Sequence, residues 1–125
     1  MRLPERRKHP RFEGSIPVKF SGIDCDIVTE TANISRTGAY CQSNKYIEPM
    51  TKLKVHLLIP YKKNNRCLTR KISCDGIVVR TESVPGKEYY NVAVYFSDIH
   101  ARDAERITHY IKQSTASVAG ENRRL

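Results

Sequence analysis

The chain has 125 residues, 39% of them hydrophobic, and carries 22 Lys plus Arg against 13 Asp plus Glu for a formal charge of +9. That length suits one domain with one buried core, and the cation excess points to a polyanionic partner, leaving nucleic acid, a membrane surface and a nucleotide all open. No stretch of about 18 apolar residues occurs, and no apolar run follows the charged start, so neither a membrane span nor a signal peptide is expected and the chain is read as cytoplasmic.

Residues 1–14 form a flexible basic arm in which Arg2, Arg6, Arg7, Lys8 and Arg11 face a single acid, Glu5. A terminal charge run is ordinarily a solvated tail, so charge alone assigns it no role. After Gly14, Ile16, Val18 and Phe20 alternate with Pro17, Lys19 and Ser21 and predict a half-buried strand that ends at Ser21-Gly22. Cys25 to Ile34 is rich in β-branched residues, and a second extended piece runs from Ala39 to Ser43, with a turn at 33–38 between them. Leu53, Val55, Leu57 and Ile59 form the next alternating run, which is expected to stop at Pro60 and the hairpin loop Lys62-Lys63-Asn64-Asn65. Residues 67–72 and 76–80 read as one long strand kinked or bulged at Asp75-Gly76, and Val92, Val94 and Phe96 supply the last strand.

From Asp98 the period becomes helical, with Ala104, Ile107 and Ile111 on one face and Ser97 or Asp98 placed to cap the first turn. Beyond Gln113 the small polar residues of 114–125 suit a disordered tail. Residues 15–113 are therefore expected to form an all-β domain closed by one helix, since closing a small antiparallel sheet removes its exposed edges. Periodicity does not separate a six-stranded barrel from a sandwich. The four cysteines at 25, 41, 67 and 74 lack a C-x-x-C pair, and the four histidines lack ligand spacing. The cysteines are read as small buried residues and no metal is expected.

Two clusters carry chemistry. Arg6, Arg7 and Arg11 form a dense set of guanidinium groups, each able to hold a phosphate or a guanine edge through two parallel hydrogen bonds. Asn33, Ser35 and Gly38 place an amide, a hydroxyl and a residue without Cβ within six positions; alternation turns Asn33 and Ser35 to one side, and Gly38 is expected to permit a positive φ and a close ligand approach. Alone, the second cluster is also an ordinary turn composition. Together, in this order and at this spacing, the clusters resemble the RxxxR and (D/N)xSxxG motifs of the PilZ domain, the bacterial receptor module for cyclic di-GMP. The segment Gly76-Ile77-Val78-Val79-Arg80 also resembles the family's later G-x-V-x-R strand, and the likeness covers about residues 6 to 113.

The resemblance implies a six-stranded antiparallel β-barrel with a C-terminal helix, and it resolves the choice between barrel and sandwich. It gives Arg7 and Arg11 phosphate and guanine contacts, and it makes Asn33, Ser35 and Gly38 the opposing wall. Arg6 precedes the motif at a place associated in related domains with capture of an intercalated ligand pair, so two ligands per chain are expected. Asn33 stands where Asp is the alternative, and it offers guanine one acceptor oxygen instead of two. Arg36 and Arg80 are carried as additional cations beside the site. The implied function is that of a receptor whose arm orders over the barrel on binding and signals to a protein target in motility or biofilm regulation. No nucleophile with a base and an orienting group is legible, so no enzyme is expected. Two rivals stand beside this reading: a basic barrel binding RNA or DNA through phosphate contacts and tyrosine stacking, and a PilZ-like scaffold for protein contacts without nucleotide.

Overall fold

The computed structural model describes residues 15–23 and 26–123, with side-chain environments given as far as residue 114. The arm, with Arg6, Arg7 and Arg11, and Cys25 lie outside the described residues. Six strands, β1 (Pro17–Ser21), β2 (Ile27–Ser35), β3 (Gly38–Ser43), β4 (Lys52–Lys63), β5 (Arg66–Ser83) and β6 (Tyr90–Asp98), are followed by one helix, α1 (Ala101–Arg123). The strands form a closed antiparallel barrel in the order β1-β2-β3-β6-β5-β4, with β1 paired to β4 to complete the ring.

The alternation read from the sequence is the burial pattern of the barrel. Ile16, Val18, Phe20, Ile34, Val55, Leu57, Ile72, Val78 and Val92 point inward and are almost wholly buried, while their chain neighbours face out. Ile107 and Ile111 join this cluster from α1, so the helix lies across one mouth of the barrel. Its amphipathic spacing exists because only one face of the helix meets the core.

The long β5 is irregular between Asp75 and Gly76 and again between Val78 and Arg80. At Gly76 an added Cβ would come within 2.8 Å of Val55 and 2.9 Å of Val94. The bulge therefore sits where the wall passes close to the core side chains, which is the kink expected from a glycine inside a strand.

Three local expectations are corrected. Strand β4 does not stop at Pro60 but pairs with β5 out to Lys63–Arg66. Strand β1 reaches only as far as Leu57 on the other side of β4, so beyond that point proline withholds its donor from an edge with no partner strand. The reversal itself is a two-residue turn with Asn64 and Asn65 both at positive φ, 54° and 62°, the geometry that matches hairpin twist. The helix is capped not by Ser97 or Asp98, which belong to β6 or its end, but by His100, whose Nδ1 accepts the amide of Arg102 at 3.1 Å. Helical backbone also runs on past Gln113 to Arg123, through a segment that contains no proline to stop it. Among the cysteines, Cys41 and Cys74 are buried and Cys67 is exposed, because Cys67 lies on the part of the β4–β5 hairpin that extends beyond the barrel wall.

Because the helix plugs the mouth with only a few side chains, each carries much of that contact. Ile107→Ala is expected to cost about 2–5 kcal/mol, measured as a lower urea midpoint with an unchanged slope.

Candidate functional site

Strand register brings the sequence-distant polar residues onto one patch of the outer wall. Asn33 is opposite Tyr40, Tyr40 opposite Ala93, and Ala93 opposite Arg80. One row across β2, β3, β6 and β5 therefore carries an amide, a phenol, a small floor and a guanidinium. The adjoining row runs Ser35, Gly38, Tyr95 and Ile77. Asn33 and Ser35 share a face, as alternation requires, with Ile34 between them wholly buried.

Ser35 is 4% exposed, and its hydroxyl is used inside the turn. It accepts the Thr37 amide at 3.3 Å and lies 3.1 Å from the Thr37 hydroxyl, a local bond of the kind that lets serine shape turns. Asn33 behaves differently: its Oδ1 is buried, and no donor among the described residues reaches it. An unmet buried acceptor is costly, about 1–3 kcal/mol, which sets this atom apart from the other polar groups of the turn.

Gly38 has a different reason from the one expected. It is absent from the residues at positive φ, so no left-handed turn requires it. An added Cβ would collide with the Val94 carbonyl oxygen. The glycine lets β3 approach β6.

The two additional cations are both engaged. Arg36 lies 3.3 Å from the Glu105 carboxylate, which ties the 33–38 turn to α1; a Glu105–His109 pair, admissible from their spacing, is not what the carboxylate makes. Arg80 Nε lies 3.7 Å from Glu82, and the other Glu82 oxygen accepts from the Tyr40 hydroxyl at 3.2 Å. Burial, then the hydrogen bond and charge of Glu82, push the Tyr40 phenol above its ordinary value, while Arg80 opposes them. Tyr40 and Glu82 were not legible as site residues. Their placement depends on the register shift between Thr31 and Asn33, and no local pattern encodes that shift.

Other features give less to chemistry. Tyr46 packs edge-on against Tyr90 at 5.6 Å, and the Arg70 guanidinium covers the Tyr61 ring at 4.7 Å; Tyr95 is exposed beside Gly38. No group of three or more potential metal ligands occurs among the described residues. Burial pushes the Cys41 and Cys74 thiols up to about 12, which leaves both unreactive. No helix among the described residues is long and apolar enough to cross a membrane.

Comparison with known proteins bears on the fold. The family model described as the PilZ domain matches residues 5–113. Among solved structures, the Bacillus subtilis inhibitor of motility MotI/DgrA superposes with a TM-score of 0.77 at 21% identity, covering 90% of this chain and 52% of its own. The chain thus spans about half the length of that protein. The PilZ domain of YcgR from Escherichia coli, solved with c-di-GMP, superposes with a TM-score of 0.61 at 10% identity, covering 92% of this chain and 98% of its own. Identities this low speak to the fold. No curated protein matches the sequence.

Two outcomes test the patch. Glu82→Gln should move the Tyr40 titration to lower pH yet leave it above an ordinary phenol, because burial persists; ultraviolet difference titration against Tyr40→Phe reads this. Gly38→Ala should destabilise by about 1–3 kcal/mol in urea denaturation, since the methyl group must displace β6 backbone.

Proposed function

The chain belongs to the PilZ domain family, and from that premise we propose that it is a receptor for cyclic di-GMP that holds the nucleotide between its N-terminal arm and the Asn33–Tyr40–Arg80 row. The observation that carries this reading is the buried Asn33 Oδ1 without a donor. The Watson–Crick edge of guanine presents N–H donors that suit such an acceptor, and the ligand's phosphates suit guanidinium groups.

The root of the arm supports the same reading. Ile16 is stitched to Thr31 by a bond from its amide to the threonine hydroxyl at 3.1 Å and by Thr31 N–H to Ile16 carbonyl at 3.0 Å. Thr31 is two residues from Asn33, so the arm enters the barrel beside the patch. Arg11 is four residues from Ser15, a reach of up to ~14 Å, and Arg7 has about twice that. Arm arginines therefore have the length to face Asn33 across a bound guanine. Ordering those residues costs about 1–2 kcal/mol each in backbone entropy, which charge-assisted bonds and purine stacking must offset.

Arg36 gives the site an output. Its guanidinium is bound to Glu105 on the helix, and a ligand phosphate competes for the same donors. Capture of Arg36 releases the Glu105 carboxylate on α1, so occupancy at the turn changes the helix surface offered to a protein target. The extra cation Arg6 serves a second stacked ligand, whose two further charges it partly offsets.

Calorimetric titration with cyclic di-GMP tests the proposal. Two ligands per chain are expected, with Arg6→Ala reducing the count to one. Arg7→Ala, Arg11→Ala and Asn33→Ala should each weaken binding at least tenfold, about 1.4 kcal/mol. Absence of heat with the folded protein, or unchanged affinity in the Arg7 and Arg11 variants, refutes it; in the first case the chain is a scaffold.

A further inference from the structure

Among the described residues, the strongest concentration of unpaired charge lies away from the Asn33–Arg80 row, on the hairpin that β4 and β5 extend beyond the barrel wall. Residues 60–71 contain Lys62, Lys63, Arg66, Arg70 and Lys71 and no acid. The cations of the barrel proper are commonly matched, as in Lys19–Asp26, Lys54–Asp75 and Arg80–Glu82. The five on the hairpin have no carboxylate partner among the described residues.

Register divides the hairpin into two faces. Ile59–Arg70, Tyr61–Leu68 and Lys63–Arg66 are cross-strand pairs, and Ile59 is buried in the core, so this set continues the inner face of the barrel and turns toward α1. Between hairpin and helix lies an open groove of about 420 Å³. Its floor is Ile59, Pro60, Tyr61 and Tyr110, and Arg102 and Arg106 line it from the helix side, Arg106 being paired with Asp103 at 2.9 Å. Its only carboxylate, Glu105, is held by Arg36.

We propose that this groove is the docking site for an acidic, partly apolar segment of a partner protein, laid along the hairpin between Arg66 and Arg102. Charge complementarity decides the sign of the partner, and three features decide its class. The cation stripe from Arg66 to Arg70 spans about 13 Å at strand rise and continues onto the helix, which is longer than a small anion and suits an extended chain. The aromatic and aliphatic floor gives apolar side chains a place to bury, which a phosphodiester backbone does not use, and Arg70 already covers one face of Tyr61, the face a nucleobase would stack on. The site is concave, whereas a lipid headgroup layer needs a flat or convex contact. Pro60 and the hairpin lysines guard the exposed β4 edge against strand pairing, so side chains do the recognising, with arginine forks matching carboxylates. This groove stands independently of the nucleotide reading.

The test is fluorescence anisotropy with a labelled peptide of about twelve residues alternating Glu with Leu and Phe. It is set beside the same peptide with Gln for Glu, a labelled single-stranded and a duplex DNA, and phosphatidylglycerol vesicles. The acidic peptide should bind, weaken steeply as salt rises through the range that shortens the Debye length from about 10 Å toward 3 Å, and bind at least tenfold more tightly than its Gln counterpart. The Arg66→Glu, Arg70→Glu double variant should lose at least tenfold in peptide affinity while its cyclic di-GMP titration stays that of the parent chain. Equal binding of the Gln peptide, tighter binding of DNA or vesicles, no binding of the acidic peptide at low salt, or unchanged affinity in the folded double variant each overturns the proposal. The Gln and salt comparisons use the parent protein, so they decide even if the double variant does not fold.

Discussion

The close approach of β3 to β6 at Gly38 governs the working face of this protein. Those strands come together so tightly that a single methyl group at position 38 would occupy the space of the Val94 carbonyl oxygen. With that contact in place the register from Asn33 to Tyr40, Ala93 and Arg80 follows, and with it the alignment of an amide, a phenol and a guanidinium on one patch. The glycine acts through backbone packing.

A barrel held by such pairing keeps its polar chemistry on the outside, since its interior is filled by Phe20, Ile16, Leu57 and their neighbours. In the proposed receptor, ligand recognition therefore comes from an element laid over the wall. The bonds between Ile16 and Thr31 put the arm's root next to Asn33, which is why an arm of ordinary length suffices in the proposed receptor. The Arg36–Glu105 pair joins the same turn to the helix that forms one side of the cationic groove. A change in that pair would be local electrostatics, and in the proposed receptor it is the step by which a small ligand alters the helix surface without large motion.

Tyr40, Glu82 and Arg80 add a second constraint. The carboxylate sits between a phenol that donates to it and a guanidinium that balances it, so Arg80 would meet the proposed ligand already paired. Its contribution to anion binding is therefore smaller than that of a free cation, and the arm arginines carry the charge matching in the proposal. The exposed hairpin shows the opposite situation, with cations clustered where no acid of the described chain answers them.

Much of this was legible along the chain because period-two burial is a local property. Val18 and Phe20, Val55 and Leu57, Val92 and Val94 each announce an inward face, Asp75-Gly76 announces a bulge, and Ile107 and Ile111 announce a helix face. The pairing of the two motif clusters identified the family, since side-chain type and spacing are themselves sequence properties. Local pattern failed where an outcome depended on what lay across a gap. Pro60 sits in a strand because β1 ends too early to contest that edge, His100 caps the helix because β6 absorbs the nearer candidates, and Gly38 answers to Val94, more than fifty residues away in the chain. Tertiary structure alone decided which residues share the outer patch and which cations go unpaired, because register and charge pairing are set by contacts between strands that the sequence lists far apart.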